Sequence, residues 1–342
     1  MSAAREIEIV GGGLVGLSLG LGLRRAGVAA TVFEAGSYPR HRVCGEFITG
    51  LDETTIARLG LGPLLADAAR LREVAWFFPG GGVRRQRLPA PALALSRHTL
   101  DARLAEAFGT AGGRLVTGAR VEAEDTRDGR VWTTGRRRAA SAPWLGLKLH
   151  ARGLRLASEL EFHLGDNGYV GLCPVEGGRV NVCGLFRQRA GVTATRGTVL
   201  SAYLHAAGLG ALAARLAAAE ICDESCSAVA GVGFGLGTST DGRLRLGDAW
   251  AMIPPFTGNG MAMAFQSAEL ALGPLLAWAR GEAAWADTAR LADAAMQKKF
   301  ARRLAVAGSV HPFLFSPKHQ RWLAGATRLG LVPLRALYHW LH

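Results

Sequence analysis

Several common sequence features are absent from this chain, and each absence removes a class of protein. Its five cysteines form no C-x-x-C pair, and its nine histidines make no metal spacing with cysteines or acids, so we expect reduced thiols and no metal site. No apolar run is long enough to span a bilayer, and the N-terminus lacks the pattern of a secretory signal. Neither a P-loop nor a G-x-S-x-G nucleophile elbow occurs. These absences predict a cytoplasmic globular protein.

Acidic residues are absent from residues 294–342, although basic residues continue there. That stretch carries +8 of the formal net charge of +13, through Lys298, Lys299, Arg302, Arg303, Lys318, Arg321, Arg328 and Arg335. Aromatic and leucine residues lie between these charges. The pattern suits peripheral contact with an anionic membrane surface or a hydrophobic acidic ligand, and it equally suits a helical region with a solvated basic face. No nucleic-acid-binding motif accompanies the charge.

A glycine-rich motif near the start of the chain predicts a dinucleotide site. Gly11, Gly13 and Gly16 fit the spacing G-x-G-x-x-G, directly after the apolar strand Ile7–Val10 and at the start of a helix. These glycines permit a tight turn, close approach of a pyrophosphate and close packing of the helix on the sheet. Glu34 ends the next predicted strand, 18 residues after Gly16, where a carboxylate can accept hydrogen bonds from ribose hydroxyls.

A second motif lies late in the chain and predicts a flavin ring site. Leu244–Leu246 reads as a strand and is followed by Asp248, a carboxylate at the edge where ligands bind in such sheets. The loop from Pro254 to Gly260 has the sequence PPFTGNG and leads into a long helix from Met261. The N-terminus of that helix can stabilise negative charge on a ring system such as a reduced flavin.

Together these two motifs resemble a known superfamily. GGGLVG, Glu34 and GDAWAMIPPFTGNGMAMAFQSAE are similar to the FAD-binding fold of p-hydroxybenzoate hydroxylase-type (group A) flavin monooxygenases and geranylgeranyl reductase-like flavoproteins. The loop YPRHRVCGEF, from Tyr38 to Phe47, and PFTGNGMAMA, from Pro255, are closer to the reductase branch. The resemblance covers most of residues 1–280 in motif order, and it is specific for FAD.

The resemblance implies FAD-binding residues position by position. The cofactor-binding set would be Gly11, Gly13, Gly16, Glu34, Arg42 (or Arg40), Arg97, Asp248, Pro255, Gly258 and Asn259. The glycines would hold the pyrophosphate, Glu34 the adenosine ribose, and Arg42 the adenosine end. Arg97 would reach the flavin phosphates or the ribityl chain, Asp248 would hold the ribityl chain, and the loop backbone would meet the isoalloxazine ring.

The resemblance also implies the residues near the reacting end of the cofactor. Cys44 and Glu46 would face the active site. Tyr169 and Pro174 keep two positions of a Tyr–Trp–Phe-Pro pattern found in archaeal geranylgeranyl reductases. The candidate catalytic set is therefore Cys44, Glu46 and Tyr169, with Tyr169 or Cys44 as the proton donor.

The predicted fold class is α/β: a Rossmann-like FAD-binding domain interleaved with an antiparallel substrate domain and followed by a helical C-terminus. The predicted boundaries are 1–73, 96–142 and 237–280 for FAD binding, 74–95 and 143–236 for the substrate domain, and 281–342 for the basic helical region. Local patterns predict a helix from Leu51 to Ala69, a strand at Arg120–Glu122 and one helical stretch from Val199 to Ala219.

Three functions fit these features. The first is an FAD-dependent oxidoreductase that transfers a hydride from reduced flavin to a carbon–carbon double bond of an isoprenoid- or polyketide-like substrate. The second is a flavin monooxygenase that hydroxylates a phenolic or polyketide substrate with O₂, with His41 or His150 as the base. The third is a non-catalytic flavin-binding protein of the membrane surface. Residues 133–143 lack the Asp-Gly motif that many relatives associate with FAD and NAD(P)H, so the electron source, NAD(P)H or another reductant, stays open.

Overall fold

The computed structural model describes residues 4–135, 142–237, 242–328 and 334–341. Residues 136–141, which belong to the stretch that lacks the Asp-Gly motif, lie outside these ranges. The described strands are β1 (Ile7–Val10), β2 (Ala30–Glu34), β3 (Phe47–Ile48), β4 (Ala69–Phe77), β5 (Val83–Ala94), β6 (Arg114–Thr117), β7 (Arg130–Trp132), β8 (Trp144–Arg152), β9 (Leu160–Gly165), β10 (Gly168–Val175), β11 (Arg179–Arg187), β12 (Glu220–Val232), β13 (Gly235–Leu236), β14 (Leu244–Arg245) and β15 (Ala251–Met252). The described helices are α1 (Leu14–Arg25), α2 (Glu53–Leu59), α3 (Arg97–Thr110), α4 (Val199–Ala206), α5 (Gly210–Ala217), α6 (Gly260–Ala279), α7 (Trp285–Val310), α8 (Pro317–Arg328) and α9 (Leu334–Leu341).

Sheet A is a five-stranded parallel sheet in the order β14-β7-β1-β2-β6. Helix α1 packs between this sheet and helices α3 and α6, and its residues 14–23 are all buried. Glycine on α1 makes this close packing possible: a Cβ on Gly20 would lie 2.7 Å from the ring of Phe108. The Ile, Val and Leu residues of β1 and α1 thus form the core that supports the first glycine motif.

Sheet B has eight strands in the order β12-β8-β11-β10-β9-β4-β5-β3, antiparallel except for the pair β4 and β9. One face of its first strands packs on α4 and α5 through an apolar cluster that includes Leu149, Val182 and Leu204. Since side chains alternate along a strand, Lys148, His150 and Asn181 lie on the opposite face. That opposite face packs against the segment between β2 and β3. Asn181 donates hydrogen bonds to the backbone carbonyls of Cys44 and Gly45 in this segment.

The C-terminal region is helical and continues the core of the FAD-binding part. Helix α7 packs on α6, and its Met296 and Phe300 are buried against it. The last residues reach back toward the loop before α6, where Leu341 is buried. None of the helices in the described ranges is both long enough and apolar enough to cross a bilayer.

Three local predictions are wrong. The helix expected from Leu51 to Ala69 spans only α2, because Gly60 takes a left-handed conformation (φ +70°) that ends it. The segment Arg120–Glu122 forms no strand. The helical stretch from Val199 to Ala219 is two helices, since Gly208 (φ +74°) breaks it between α4 and α5.

Candidate functional site

The first glycine motif forms a bare backbone surface at the N-terminus of α1. Gly11 has φ +111°, and a Cβ on Gly16 would lie 2.0 Å from the carbonyl oxygen of Gly11, so both positions require glycine. A Cβ on Gly13 would instead point into open space, where its nearest described neighbour is Arg97 Nη2 at 4.0 Å. None of the described side chains caps α1. Its first-turn amides are therefore available to an anion.

Two arginines face this surface and share one carboxylate. Arg97 donates to Asp101 from Nε at 2.7 Å and from Nη2 at 2.8 Å, and Arg42 Nε donates to Asp101 at 3.0 Å. Asp101 is fully buried. Arg42 Nη2 is buried yet has no hydrogen-bond partner among the described residues. Burial and the neighbouring Arg97 lower the pKa of Arg42, so a further anion here would be stabilised.

Glu34 lies where the sequence predicts it, at the end of β2, and its carboxylate is already hydrogen-bonded. It accepts from the backbone amides of Gly12 and Gly36, each at 2.8 Å, and from Arg40 Nη2 at 2.7 Å. Tyr38 donates from its hydroxyl to the Gly12 carbonyl. The two candidate arginines thus differ in their partners: Arg40 hydrogen-bonds to Glu34, whereas Arg42 hydrogen-bonds to Asp101 and lies 3.7 Å from Glu34 Oε2. A ribose bound to Glu34 would have to displace Arg40.

The loop predicted to contact a flavin ring joins β15 to α6. Gly258 has φ +70°, and a Cβ there would lie 2.3 Å from the Phe47 ring, so the loop packs closely on β3. Thr49 donates from its amide to the Gly258 carbonyl at 3.3 Å. Asn259 is buried and donates from Nδ2 to the carbonyl of Leu341 at 2.7 Å, while its Oδ1 has no hydrogen-bond partner in the described ranges. The C-terminal helix α9 therefore fixes this loop from outside.

Asp248 lies in a short 3-10 helix, Gly247–Ala249, directly after β14. Gly247 has φ +60°, and a Cβ there would lie 2.5 Å from Cγ2 of Val15 on α1. Asp248 is exposed and lines a small cleft with residues of α6, among them Met263. The structure therefore brings Asp248 close to the first turns of α1, as expected for two parts of one cofactor site.

A buried group of ionisable side chains surrounds Glu46. Glu46 Oε1 accepts from the Arg97 amide at 3.0 Å and lies 3.2 Å from Lys148 Nζ, and its Oε2 lies 2.6 Å from His150 Nε2. The ring of His41 lies 5.1 Å from that of His150 and stacks on His98 at 4.5 Å. The two histidines suggested separately as bases thus lie side by side next to Glu46.

Cys44 is half-buried in the same turn as Glu46. The Glu46 amide donates to Cys44 Sγ at 3.4 Å, and burial raises the pKa of the Cys44 thiol. Cys173 and Cys183 lie close by on β10 and β11, and burial raises their pKa values too. Burial therefore favours the neutral thiol of Cys44, the form that is least reactive.

Tyr169 lies in a separate aromatic cluster. Its hydroxyl is 3.5 Å from His311 Nε2, and burial raises its pKa well above 10. Phe256 belongs to the loop before α6, and its ring stacks on His311 at 6.0 Å. Of the three candidate catalytic residues, the structure thus brings Cys44 and Glu46 together and places Tyr169 against the predicted flavin loop.

Sequence reasoning missed Lys148, His98, Asp101 and Asn181. One signal was present: Lys148 and His150 stand two residues apart in the apolar strand LGLKLHA, which puts both on one face of β8. Asp101 stands four residues after Arg97, a spacing that pairs side chains on a helix.

Comparisons with known proteins bear on this arrangement. No protein-family profile matches the chain. The menaquinone reductase of Mycobacterium tuberculosis (strain H37Rv) is 30% identical over 122 residues, a match that spans 34% of this chain and only 30% of that protein.

Among solved structures, Pseudomonas aeruginosa PqsL in complex with 2-aminobenzoylacetate matches with a TM-score of 0.74 and 17% identity, over 96% of this chain and 100% of that one. A second PqsL structure describes that protein as a probable FAD-dependent monooxygenase. The p-nitrophenol 4-monooxygenase PnpA of Pseudomonas putida DLL-E4 matches with a TM-score of 0.74 and 15% identity over 99% of both chains.

The fold is that of the flavin-dependent monooxygenases. The predicted fold class is therefore confirmed. These sequence identities are too low for the substrates of those proteins to be assigned to this chain. The assignment to the geranylgeranyl reductase-like branch stays a prediction.

Proposed function

We propose that this chain is an FAD-dependent oxidoreductase that acts on a hydrophobic small molecule. One observation carries the proposal: the bare amides at Gly13 face Arg97, and Arg42, which binds the same Asp101, has a buried nitrogen without a hydrogen-bond partner in the described ranges. Such a surface suits the two negative charges of a pyrophosphate. The loop from Pro254 to Asn259 stands beyond it, linked to the turn at Glu46 through Phe47.

Each of these residues would have a distinct part in holding FAD, which supplies the electron-pair chemistry when bound. Gly11, Gly13 and Gly16 would admit the pyrophosphate, and Arg97 and Arg42 would neutralise it. Glu34 would hold the adenosine ribose after Arg40 moves away, and Asp248 would hold the ribityl chain. Pro255, Gly258 and Asn259 would contact the ring, with Asn259 Oδ1 as a buried acceptor.

The reaction we propose is hydride transfer to a carbon–carbon double bond of an isoprenoid- or polyketide-like substrate. The Cys-Gly-Glu turn and the partial match to a menaquinone reductase support it. The face of sheet B toward that turn includes the apolar side chains of Phe162 and Tyr169, which suit a hydrophobic substrate. Val, Leu and aromatic residues make up most of the surrounding core.

The alternative is a monooxygenase that hydroxylates a phenolic or polyketide substrate with O₂. The similarity to PqsL and PnpA favours the monooxygenase, because each of these structures matches more than nine-tenths of this chain. His41 or His150 would then serve as the base that removes a phenolic proton.

One experiment separates these functions. Purified protein loaded with FAD is treated anaerobically with NADH, NADPH and dithionite in turn, then mixed with prenylated quinones or phenols, with and without ¹⁸O₂. Reductase action predicts anaerobic reoxidation of the flavin by a prenylated quinone with a saturated product bond. Incorporation of ¹⁸O into product would instead establish the monooxygenase. Reduced flavin that no substrate reoxidises would support the non-catalytic reading.

We further propose that the basic C-terminal region contacts an anionic membrane surface, from which a lipophilic substrate could enter. Phe313 and Trp322 are exposed, with ring centroids 6.1 Å apart, and Lys318 and Arg321 on α8 are exposed beside them. Aromatic rings and basic side chains together suit the boundary between headgroups and acyl chains. The side chains of Arg328 and Arg335 lie outside the described part of the chain.

A further inference from the structure

Three ionisable side chains are completely buried against one another in this protein. Glu46, Lys148 and His150 have side-chain exposures of 0%. Burying charged groups is unfavourable even when they are paired, so such a cluster demands an explanation beyond stability. Glu46 also has φ +58°, a backbone conformation that side chains other than glycine rarely adopt. Strain of this kind concentrates at functional sites.

The outer end of the cluster leads toward solvent. Lys148 Nζ lies 3.2 Å from His41 Nδ1, and the His41 ring stacks on that of His98. Both histidines are half-buried, so they connect the buried lysine to the surface. Burial, Lys148 and His98 lower the pKa of His41 to about 4, so at neutral pH its ring is uncharged and can share a hydrogen bond with Lys148.

The inner end of the cluster presents two buried polar atoms that lack a partner among the described residues, His150 Nδ1 and Asn181 Oδ1. Asn181 and His150 are paired across β11 and β8, and Asn181 Nδ2 donates to the carbonyls of Cys44 at 3.1 Å and of Gly45 at 2.8 Å. The inner end therefore lies against the turn of Cys44 and Gly45. This turn continues into Phe47, which packs on Gly258.

Other charged or titratable groups surround the cluster and complete its electrostatic setting. They are Arg97 on α3, Cys44 in the turn, Cys173 on β10, Cys183 on β11, and Glu176 and Arg179 next to His98.

We propose that His41, Lys148, Glu46 and His150 form a proton-conducting chain between solvent and the flavin site, with His98 stacked on its outer end. This inference rests on the proposed function. Addition of a hydride and a proton across a carbon–carbon double bond consumes one proton for each electron pair, and the hydride brings the pair. His150 releases that proton toward the substrate. Glu46 returns one to His150, Lys148 returns one to Glu46, and the half-buried His41 restores Lys148 from solvent.

The test is the rate at which the Nε2–H proton of His150 exchanges with solvent, followed by NMR on protein with ¹⁵N-labelled histidine. His41→Ala removes the link between Lys148 and solvent while it leaves the three buried groups in place. We expect exchange to slow by about 10²-fold, the scale of a lost proton-transfer partner. Added imidazole should restore the rate, which a merely structural role of His41 would not permit.

The matched control is His205→Ala, which removes an exposed histidine on α4. It should exchange at the wild-type rate. Exchange in His41→Ala at the wild-type rate, or an equal slowing in both variants, would overturn the chain. The measurement works with or without FAD, so a protein that binds no FAD overturns the proposed function and still reports on the chain.

A second variant guards against misfolding of the buried cluster. Glu46→Gln combined with Lys148→Met removes both charges at once and leaves no unpaired ion. In FAD-loaded protein, proton uptake during photoreduction of the flavin should slow by about 10²-fold in this double variant. Uptake at the wild-type rate would contradict a role for Glu46 and Lys148.

Discussion

Arg97 is held in one orientation by Asp101, with hydrogen bonds of 2.7 Å from Nε and 2.8 Å from Nη2. The two residues stand one turn apart on α3, and Asp101 is completely buried. A bidentate pair of this kind fixes the plane of the guanidinium. Because Nη2 is also the nearest described atom to the open side of Gly13, Arg97 is positioned in advance for an anion held by α1.

Gly13→Asp should abolish FAD binding. The new side chain would project toward Arg97 and place a carboxylate where the pyrophosphate has to lie. FAD content of the purified variant, measured after heat release, checks this expectation. Gly109→Asp, at an exposed glycine of α3 with open space around it, is the matched control and should keep its FAD. Normal FAD content in Gly13→Asp would show that the motif serves another purpose.

Arg42→Met should weaken FAD binding without loss of the fold. Its Nη2 has no hydrogen-bond partner in the described ranges, so within the protein the variant loses one hydrogen bond to Asp101 and an ion pair of 3.7 Å with Glu34, besides a charge-assisted contact to the cofactor. We expect the Kd for FAD, measured by fluorescence titration, to rise by about 10-fold to 100-fold. Arg103→Met, on α3, removes a surface pair with Asp67 and should leave the Kd unchanged. An unchanged Kd in Arg42→Met would remove Arg42 from the site.

His311 should make the protein less stable as the pH falls. Burial lowers its pKa from 6.5 to about 4. Between these values the unfolded chain binds a proton that the native state excludes, so the free energy of unfolding decreases as pH drops from about 6.5 to 4. The full contribution of His311 is about 3 kcal/mol.

Urea unfolding between pH 7 and pH 4 measures this dependence. His311→Phe should reduce the slope in that window and leave the part due to His41, whose pKa is also lowered to about 4, whereas His205→Phe, at an exposed position, should keep the wild-type slope. Glu161 and Glu176, whose pKa values lie at about 2, contribute stability that is lost only at lower pH, as it falls from about 4.5 through 2. A wild-type slope in His311→Phe would show that groups other than His311 cause the pH dependence of stability.

Charge reversal on α8 should release the protein from anionic vesicles. Lys318→Glu with Arg321→Glu changes two exposed residues beside Trp322, and each basic residue near such a surface contributes about 1 kcal/mol. Substitution is preferable to truncation because Phe300 and Leu314 of this region are buried in the core. Sedimentation with phosphatidylserine vesicles at low and high salt measures the effect. The double variant Arg120→Glu with Arg280→Glu is the control. Equal vesicle binding by the two double variants would show that the basic residues of α8 form only a solvated face.

The sequence predicted the two parts of the site that are continuous in the chain. Strand, glycine turn and helix follow one another from Ile7 to Arg25, and the loop before α6 is equally local, so spacing alone was enough. Helix ends were less predictable: Gly60 ends α2 early because its left-handed conformation depends on the following turn.

The cluster at Glu46 could not be predicted from spacing. Glu46, Lys148 and His98 meet only because the turn before β3 packs against β8 and the start of α3. The hydrogen bond between Asn259 and Leu341 joins residues 82 positions apart, and it depends on where α9 ends. Long-range packing of this kind has no periodic signature in the sequence.

The most direct test of the account is a titration of the purified protein with FAD, followed by absorption and by the cofactor released on denaturation. We predict a yellow protein that holds one FAD per chain and whose bound flavin is reduced and reoxidised reversibly. A protein that stays colourless after incubation and refolding with excess FAD would contradict the central claim.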